Sequence, residues 1–209
     1  KDDKSYKNLN NFFNKKNGRY LEIGGFNGYF ESPTYSLHSL DAWRGVLIEP
    51  NNETCNFIKY YRPKDEYINC ACSSFEETRE KKYVEFLDLH HSGEIYFSDG
   101  ELDDWALNEK RSRNINPRKV KLKNLTEIIN NSILLKGVII DLIVIDVEGY
   151  ELNVLKGIDF SSIKINYLLI ESRSINHLNE IKKFLKNHNF EYLTKTCSFD
   201  YLYINNSLK

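Results

Sequence analysis

Short apolar runs recur along the chain, separated by stretches whose apolar positions fall three or four residues apart. The first pattern is that of strands and the second that of helices. Strands are expected at 20–23, 45–49, 67–71, 141–146 and 167–171. Helices are expected at 6–17, 34–41, 53–61 (stopped by Pro63), 125–131 and 176–188, with Leu152, Leu155 and Ile158 again at helical spacing. The run through Leu142, Ile143, Val144 and Ile145 is continuously apolar, as in a central parallel strand covered on both faces. Strand alternating with helix predicts an α/β fold, a doubly wound and mostly parallel sheet of the Rossmann-like kind. The tail adds two more strand patterns, 190–194 and 201–204, joined by a short polar connection.

Residues 83–123 break the alternation. Strand-like pieces at 83–86 and 120–123 flank a stretch holding His90, His91, an acidic cluster from Asp99 to Asp104 and a basic one from Arg111 to Lys119. A long irregular insert in a compact domain is usually functional or mobile, so it is expected to face the substrate.

Composition narrows the picture. With 209 residues, 41% of them hydrophobic, the chain can bury one sizeable core, and one domain is expected. A net charge of −1 gives no general attraction to nucleic acid, so no nucleic-acid partner is expected. No apolar run approaches the roughly 20 residues that span a bilayer, and Lys1-Asp2-Asp3-Lys4 lacks a signal peptide's apolar stretch. The chain holds no methionine, even at position 1, the pattern of a trimmed or excised domain. Cys55, Cys70, Cys72 and Cys197 lack paired metal-ligand spacing, and Cys70 and Cys72 are expected on opposite faces of a strand. Free thiols and a reducing, cytoplasmic setting are therefore expected.

The chemistry concentrates at three strand ends. Tyr20-Leu21-Glu22-Ile23 runs straight into Gly24-Gly25-Phe26-Asn27-Gly28, and glycines there let main chain approach a nucleoside cofactor closely. About twenty residues on, Val46-Leu47-Ile48 ends in Glu49-Pro50, where a carboxylate can accept both ribose hydroxyls. Asp146 and Glu148 follow the central strand, at the carboxyl end where open α/β sheets bind ligands.

Taken together, these segments resemble the FkbM type of S-adenosylmethionine-dependent methyltransferases. The likeness rests on Leu21 to Gly28, on Ser32-Pro33-Thr34, on Trp43 to Pro50, and on Ile145-Asp146-Val147-Glu148-Gly149-Tyr150-Glu151 with Leu155-Lys156-Gly157. The sequence departs at Gly25, where the family often has alanine, and at Pro33, where many relatives carry asparagine. The resemblance implies a class I methyltransferase fold closed by an antiparallel hairpin, and S-adenosylmethionine held by Glu22, Gly24, Gly25, Asn27, Gly28, Ser32, Glu49 and Asp146. It also places Ser92-Gly93 near the mouth of the active site, and with it His90 and His91.

The implied reaction is O-methylation of a hydroxyl on a sugar, nucleotide sugar, glycan or other small metabolite. Asp146, Glu148, His90 and His91 are the candidate bases. Catechol-type relatives hold a divalent cation with acids at the ends of strands four and five, here Asp146 and Glu171. A metal is not favoured, because Glu171 is equally well explained as a strand-end residue. Three other readings share the scaffold: a nicotinamide-dependent oxidoreductase, a ribose methyltransferase acting on RNA, and a noncatalytic binding module.

Overall fold

The computed structural model describes residues 9–88, 95–97 and 117–208. Helix α1 (Leu9–Phe13) precedes β1 (Arg19–Ile23), α2 (Tyr35–Asp41), β2 (Arg44–Ile48), α3 (Cys55–Tyr61) and β3 (Glu66–Ile68). Then come β4 (Ala71–Cys72), α4 (Phe75–Glu80), β5 (Tyr83–Asp88), β6 (Ile95–Phe97) and β7 (Arg118–Lys123). The last part holds α5 (Leu125–Asn131), β8 (Ile140–Ile145), α6 (Glu151–Leu155), β9 (Ile165–Glu171), α7 (Ile175–Lys186), β10 (Phe190–Lys195) and β11 (Asp200–Asn205).

Seven strands form the main sheet in the order β10-β11-β9-β8-β1-β2-β3. The pairs from β9 through β3 are parallel, and β11 runs antiparallel to both β9 and β10. The tail is thus the closing hairpin that the resemblance implies. Every residue of β8 is buried, and separate apolar clusters pack on the two faces of the sheet. From β1 the chain builds outward through β2 and β3, then returns to place β8 on the other side of β1. That reversal puts the topological switch point between β1 and β8, where a crevice opens at the carboxyl ends of the strands.

Three departures from the sequence pattern have physical causes. The expected strand 67–71 is cut in two, because the Asn69 amide donates to the carbonyls of Glu49 (2.9 Å) and Pro50 (2.8 Å) and leads the chain off the sheet edge. β4 then joins a second sheet, ordered β4-β7-β5-β6. Cys70 and Cys72 point the same way, as residues two apart along an extended chain do. Both are buried in one core cluster, and burial, with a hydrogen bond from Cys70, pushes the Cys72 thiol up. Helix α4 was not expected, yet its start was legible: the Ser74 hydroxyl accepts from the Glu77 amide at 3.1 Å, the N-cap of a Ser-x-x-Glu sequence.

The expected opening helix, 6–17, shrinks in its described part to α1, since the chain turns left-handed at Asn14 (φ 40°) and Asn17 (φ 57°). Within the stretch 83–123, the described residues are strands of the second sheet. His90, His91, Ser92, Gly93, Arg111 and Arg113 lie outside the described residues.

Candidate functional site

The crevice is laced together by backbone bonds across the strand ends. Gly24 N–H donates to the Ile48 carbonyl (3.0 Å), and Asp146 N–H to that of Ile23 (3.1 Å). Gly24 has φ +81°, and a Cβ there would stand 1.8 Å from the Asp146 carbonyl oxygen. Only glycine fits, so the turn after β1 and the loop after β8 are in direct backbone contact.

Glu49 leaves β2 buried, with 2% of its surface exposed. One carboxylate oxygen accepts from Phe26 N–H at 3.0 Å and the other from Asn51 N–H at 2.9 Å. The side chain thereby ties the glycine turn to the loop of its own strand. Arg118, at the start of β7, donates to the Asn51 side chain (3.1 Å) and pairs with Glu53 (2.9 Å), joining the second sheet to the same loop.

Beneath the glycine turn lies a buried ionic network. Glu22 is 1% exposed, and its Oε2 accepts from Ser32 (2.9 Å) and from Thr34. Its Oε1 is buried without a hydrogen-bond partner. Arg62, also 1% exposed, donates to the Gly28 carbonyl (2.7 Å), the Tyr20 hydroxyl (2.6 Å) and Ser32 (2.6 Å). Burial pushes the Glu22 carboxyl above its usual range, against the pull of Arg62. Asn27 is engaged locally, its side-chain oxygen accepting from Tyr29 N–H (3.0 Å) and Phe30 N–H (2.8 Å).

A cleft of about 450 Å³ opens at the strand ends, lined by Gly24, Glu49, Pro50, Cys70, Ala71, Cys72, Asp146, Val147 and Glu148 among others. The cleft brings Gly24, Glu49, Asp146 and Glu148 together, while Glu22, Gly25, Asn27, Gly28 and Ser32 lie outside its lining. Their bonds are to the turn and to the network under it.

Carboxylate oxygens of Asp146, Glu148 and Glu171 come within 4.8 Å of one another. Arg173 pairs with Glu148 at 2.8 Å and with Glu171 at 3.3 Å. One guanidinium therefore bridges two of the three carboxylates and offsets one of the three negative charges, so a divalent cation would share Glu148 and Glu171 with that arginine. Glu148 has φ +54°, a left-handed conformation that is uncommon for a side chain of its size.

Sequence reasoning did not single out Arg62. A basic residue just past the end of a helix and before Pro63 reads as solvated, and nothing local marks it as buried. Cys70, Ala71 and Cys72 line the cleft because the chain leaves the main sheet at Asn69, a break that the apolar run 67–71 does not signal.

A family profile described as Methyltransferase FkbM domain matches residues 22–192. Among curated proteins, none matches this sequence significantly. Solved structures give distant similarities. A precorrin-6y C5,15-methyltransferase from Geobacter metallireducens GS-15 is 12% identical, with TM-score 0.45 over 90% of this chain and 79% of that one. The METTL16 MTase domain is 10% identical, with TM-score 0.48 over 95% and 63% of the two chains. A SAM dependent methyltransferase from Aquifex aeolicus is 12% identical, with TM-score 0.38 over 97% and 89%.

Proposed function

This chain belongs to the FkbM-domain methyltransferases, and from that premise we propose that it transfers the methyl group of S-adenosylmethionine to a hydroxyl of a sugar, nucleotide sugar or other small metabolite. The observation that carries this reading is the convergence of Gly24, Glu49 and Asp146 on one cleft at the switch point of the sheet. Two features fit the cofactor. Gly24 lets the turn after β1 pack directly on the loop after β8, so that both reach the cleft, and Glu49 and Asp146 line it with acidic side chains.

When bound, the cofactor supplies the methyl group and its own leaving group, so the protein has mainly to align the reactants and accept a proton. Glu49 offers its carboxylate to ribose hydroxyls from a position fixed by two backbone amides. Asp146 and Glu148 are the described candidates for proton acceptor. Glu148 is engaged by Arg173 at 2.8 Å, and we take Asp146, at the end of the central strand, as the acceptor. The carboxylates of Glu49, Asp146 and Glu148 along the described wall also oppose a phosphate backbone, which speaks against an RNA acceptor.

The test is to incubate the protein with labelled S-adenosylmethionine and a panel of nucleotide sugars and glycans, following S-adenosylhomocysteine. Acceptor-dependent product is expected. Cofactor binding without turnover on any hydroxylated acceptor points instead to a binding module, and reduced-nicotinamide binding without S-adenosylmethionine binding to an oxidoreductase.

Two further outcomes are expected. Glu49→Ala should weaken S-adenosylmethionine binding by about 2 kcal/mol, the loss of charged hydrogen bonds; unchanged affinity by calorimetry in a folded variant removes Glu49 from the cofactor site. Turnover should also survive excess chelator, because Arg173 pairs with two of the three carboxylates that a cation would need. Activity that is lost to EDTA and restored by a divalent ion would overturn that.

A further inference from the structure

The turn after β8 holds two successive left-handed residues, Glu148 (φ +54°) and Gly149 (φ +97°). Such a backbone persists only where its surroundings over-determine it. What holds it is Glu151, the first residue of α6, which is 1% exposed. Its side chain turns back over the start of its own helix, and Oε1 accepts from Val147 N–H (3.2 Å) and Gly149 N–H (3.0 Å). The other oxygen, Oε2, is buried and makes no hydrogen bond within protein. Facing it at 3.4 Å, across the gap to α7, is Nε2 of His177, which is likewise buried and unbonded.

Two orphaned buried atoms of opposite character at this separation answer one another. An imidazole with its proton on Nε2 carries the donor that Oε2 lacks, close enough for a small side-chain adjustment to join the two, and either group alone would leave a desolvated polar atom.

We propose that Glu151 is a positioning residue for methyl transfer, clamped by His177 and fixing the turn that presents Asp146, Val147 and Glu148 to the cleft. Neither Glu151 nor His177 lines the cleft itself. Their effect reaches it because Val147, whose amide Glu151 holds, lies between two lining acids, and because the Asp146 carbonyl abuts Gly24. Burial, opposed by the three backbone N–H bonds from Gly149, Glu151 and Val147, pushes the Glu151 carboxyl up to about 7, with Asp146 nearby adding to the rise. Glu180 faces His177 from α7 and favours its charged form, against burial, which lowers it. The clamp is therefore built where its proton count is sensitive to surroundings near neutrality.

The test does not need the methyl acceptor, though its second readout rests on the cofactor assignment above. Amide hydrogen exchange at Gly149 should be at least about tenfold faster in Glu151→Ala and in His177→Ala than in the parent protein, and Glu151→Gln, which keeps one acceptor oxygen, should restore most of the protection. Affinity for S-adenosylhomocysteine should fall in step with the lost protection. If the parent protein does not bind S-adenosylhomocysteine, the cofactor assignment fails, while the exchange measurement still judges the clamp. If Glu151→Ala does not fold, His177→Ala carries the same comparison. Unchanged exchange at Gly149 in the folded alanine variants overturns the proposal. So does equal loss in Glu151→Gln and Glu151→Ala, since a carbonyl acceptor would then not be what matters.

Discussion

Replacing Arg62 with methionine should lower folding stability by about 3–5 kcal/mol, the usual consequence of removing one partner from a buried ionic group. Methionine fills much of the volume. It does not replace the donors to Gly28, Tyr20 and Ser32, nor the positive charge 3.9 Å from Glu22 and 3.8 Å from Asp65. Burial already raises the Glu22 carboxyl, and loss of the arginine removes the largest influence lowering it. A carboxyl whose folded-state pKa is raised contributes stability that is present at low pH and lost as pH rises through that value. The deficit should therefore be smaller near about pH 5 than near about pH 8. Urea unfolding at both pH values checks this, and a variant as stable as the parent at both would mean that the network contributes nothing net.

Asp146→Asn should reduce turnover by about a hundredfold or more while leaving cofactor affinity nearly intact. The substitution keeps shape and removes the proton acceptor, which typically contributes 10²–10⁴ (on the order of 3–5 kcal/mol) to such reactions. The backbone of residue 146, which touches Gly24 and bonds Ile23, is unchanged by it. The measurement compares steady-state rates on the acceptor found in the screen with calorimetric affinity for S-adenosylhomocysteine. Undiminished turnover would return Asp146 to a structural role; a parallel collapse of affinity would make it a binding residue.

β1, β2, β8 and β9 were legible because each is a short, largely apolar run that ends in or is followed by a glycine or an acid, and β8 is apolar enough to be read as central. Glu49, Gly24 and Asp146 could be placed at one cleft from sequence because strand ends of a doubly wound sheet converge there. Partners formed by long-range packing could not be read. Arg62 meets Tyr20 42 residues away, and its burial follows from where α3 packs, not from any local pattern. His177 likewise reads as one more polar residue on an amphipathic helix until α7 is laid against α6. Ser74 and Glu77 are different: their cap was written in the chain and was overlooked beside the irregular stretch that follows.

The pairing of β1 with β8 bears on how the cleft comes into being. The two strands are tied at their starts by Arg19 N–H donating to the Asp141 carboxylate at 2.9 Å, across a separation of 122 residues. β1 and β2, by contrast, are joined by a short local connection. Closing so large a loop costs chain entropy before any contact repays it, so such pairings tend to come late in folding. The half of the site made by Gly24 and Glu49 depends on local pairing; the half made by Asp146 and Glu148 depends on the long-range pairing of β8 with β1. A chain arrested before that step has the glycine turn and no cleft, so a small molecule that needs both halves recognises only molecules that have finished folding.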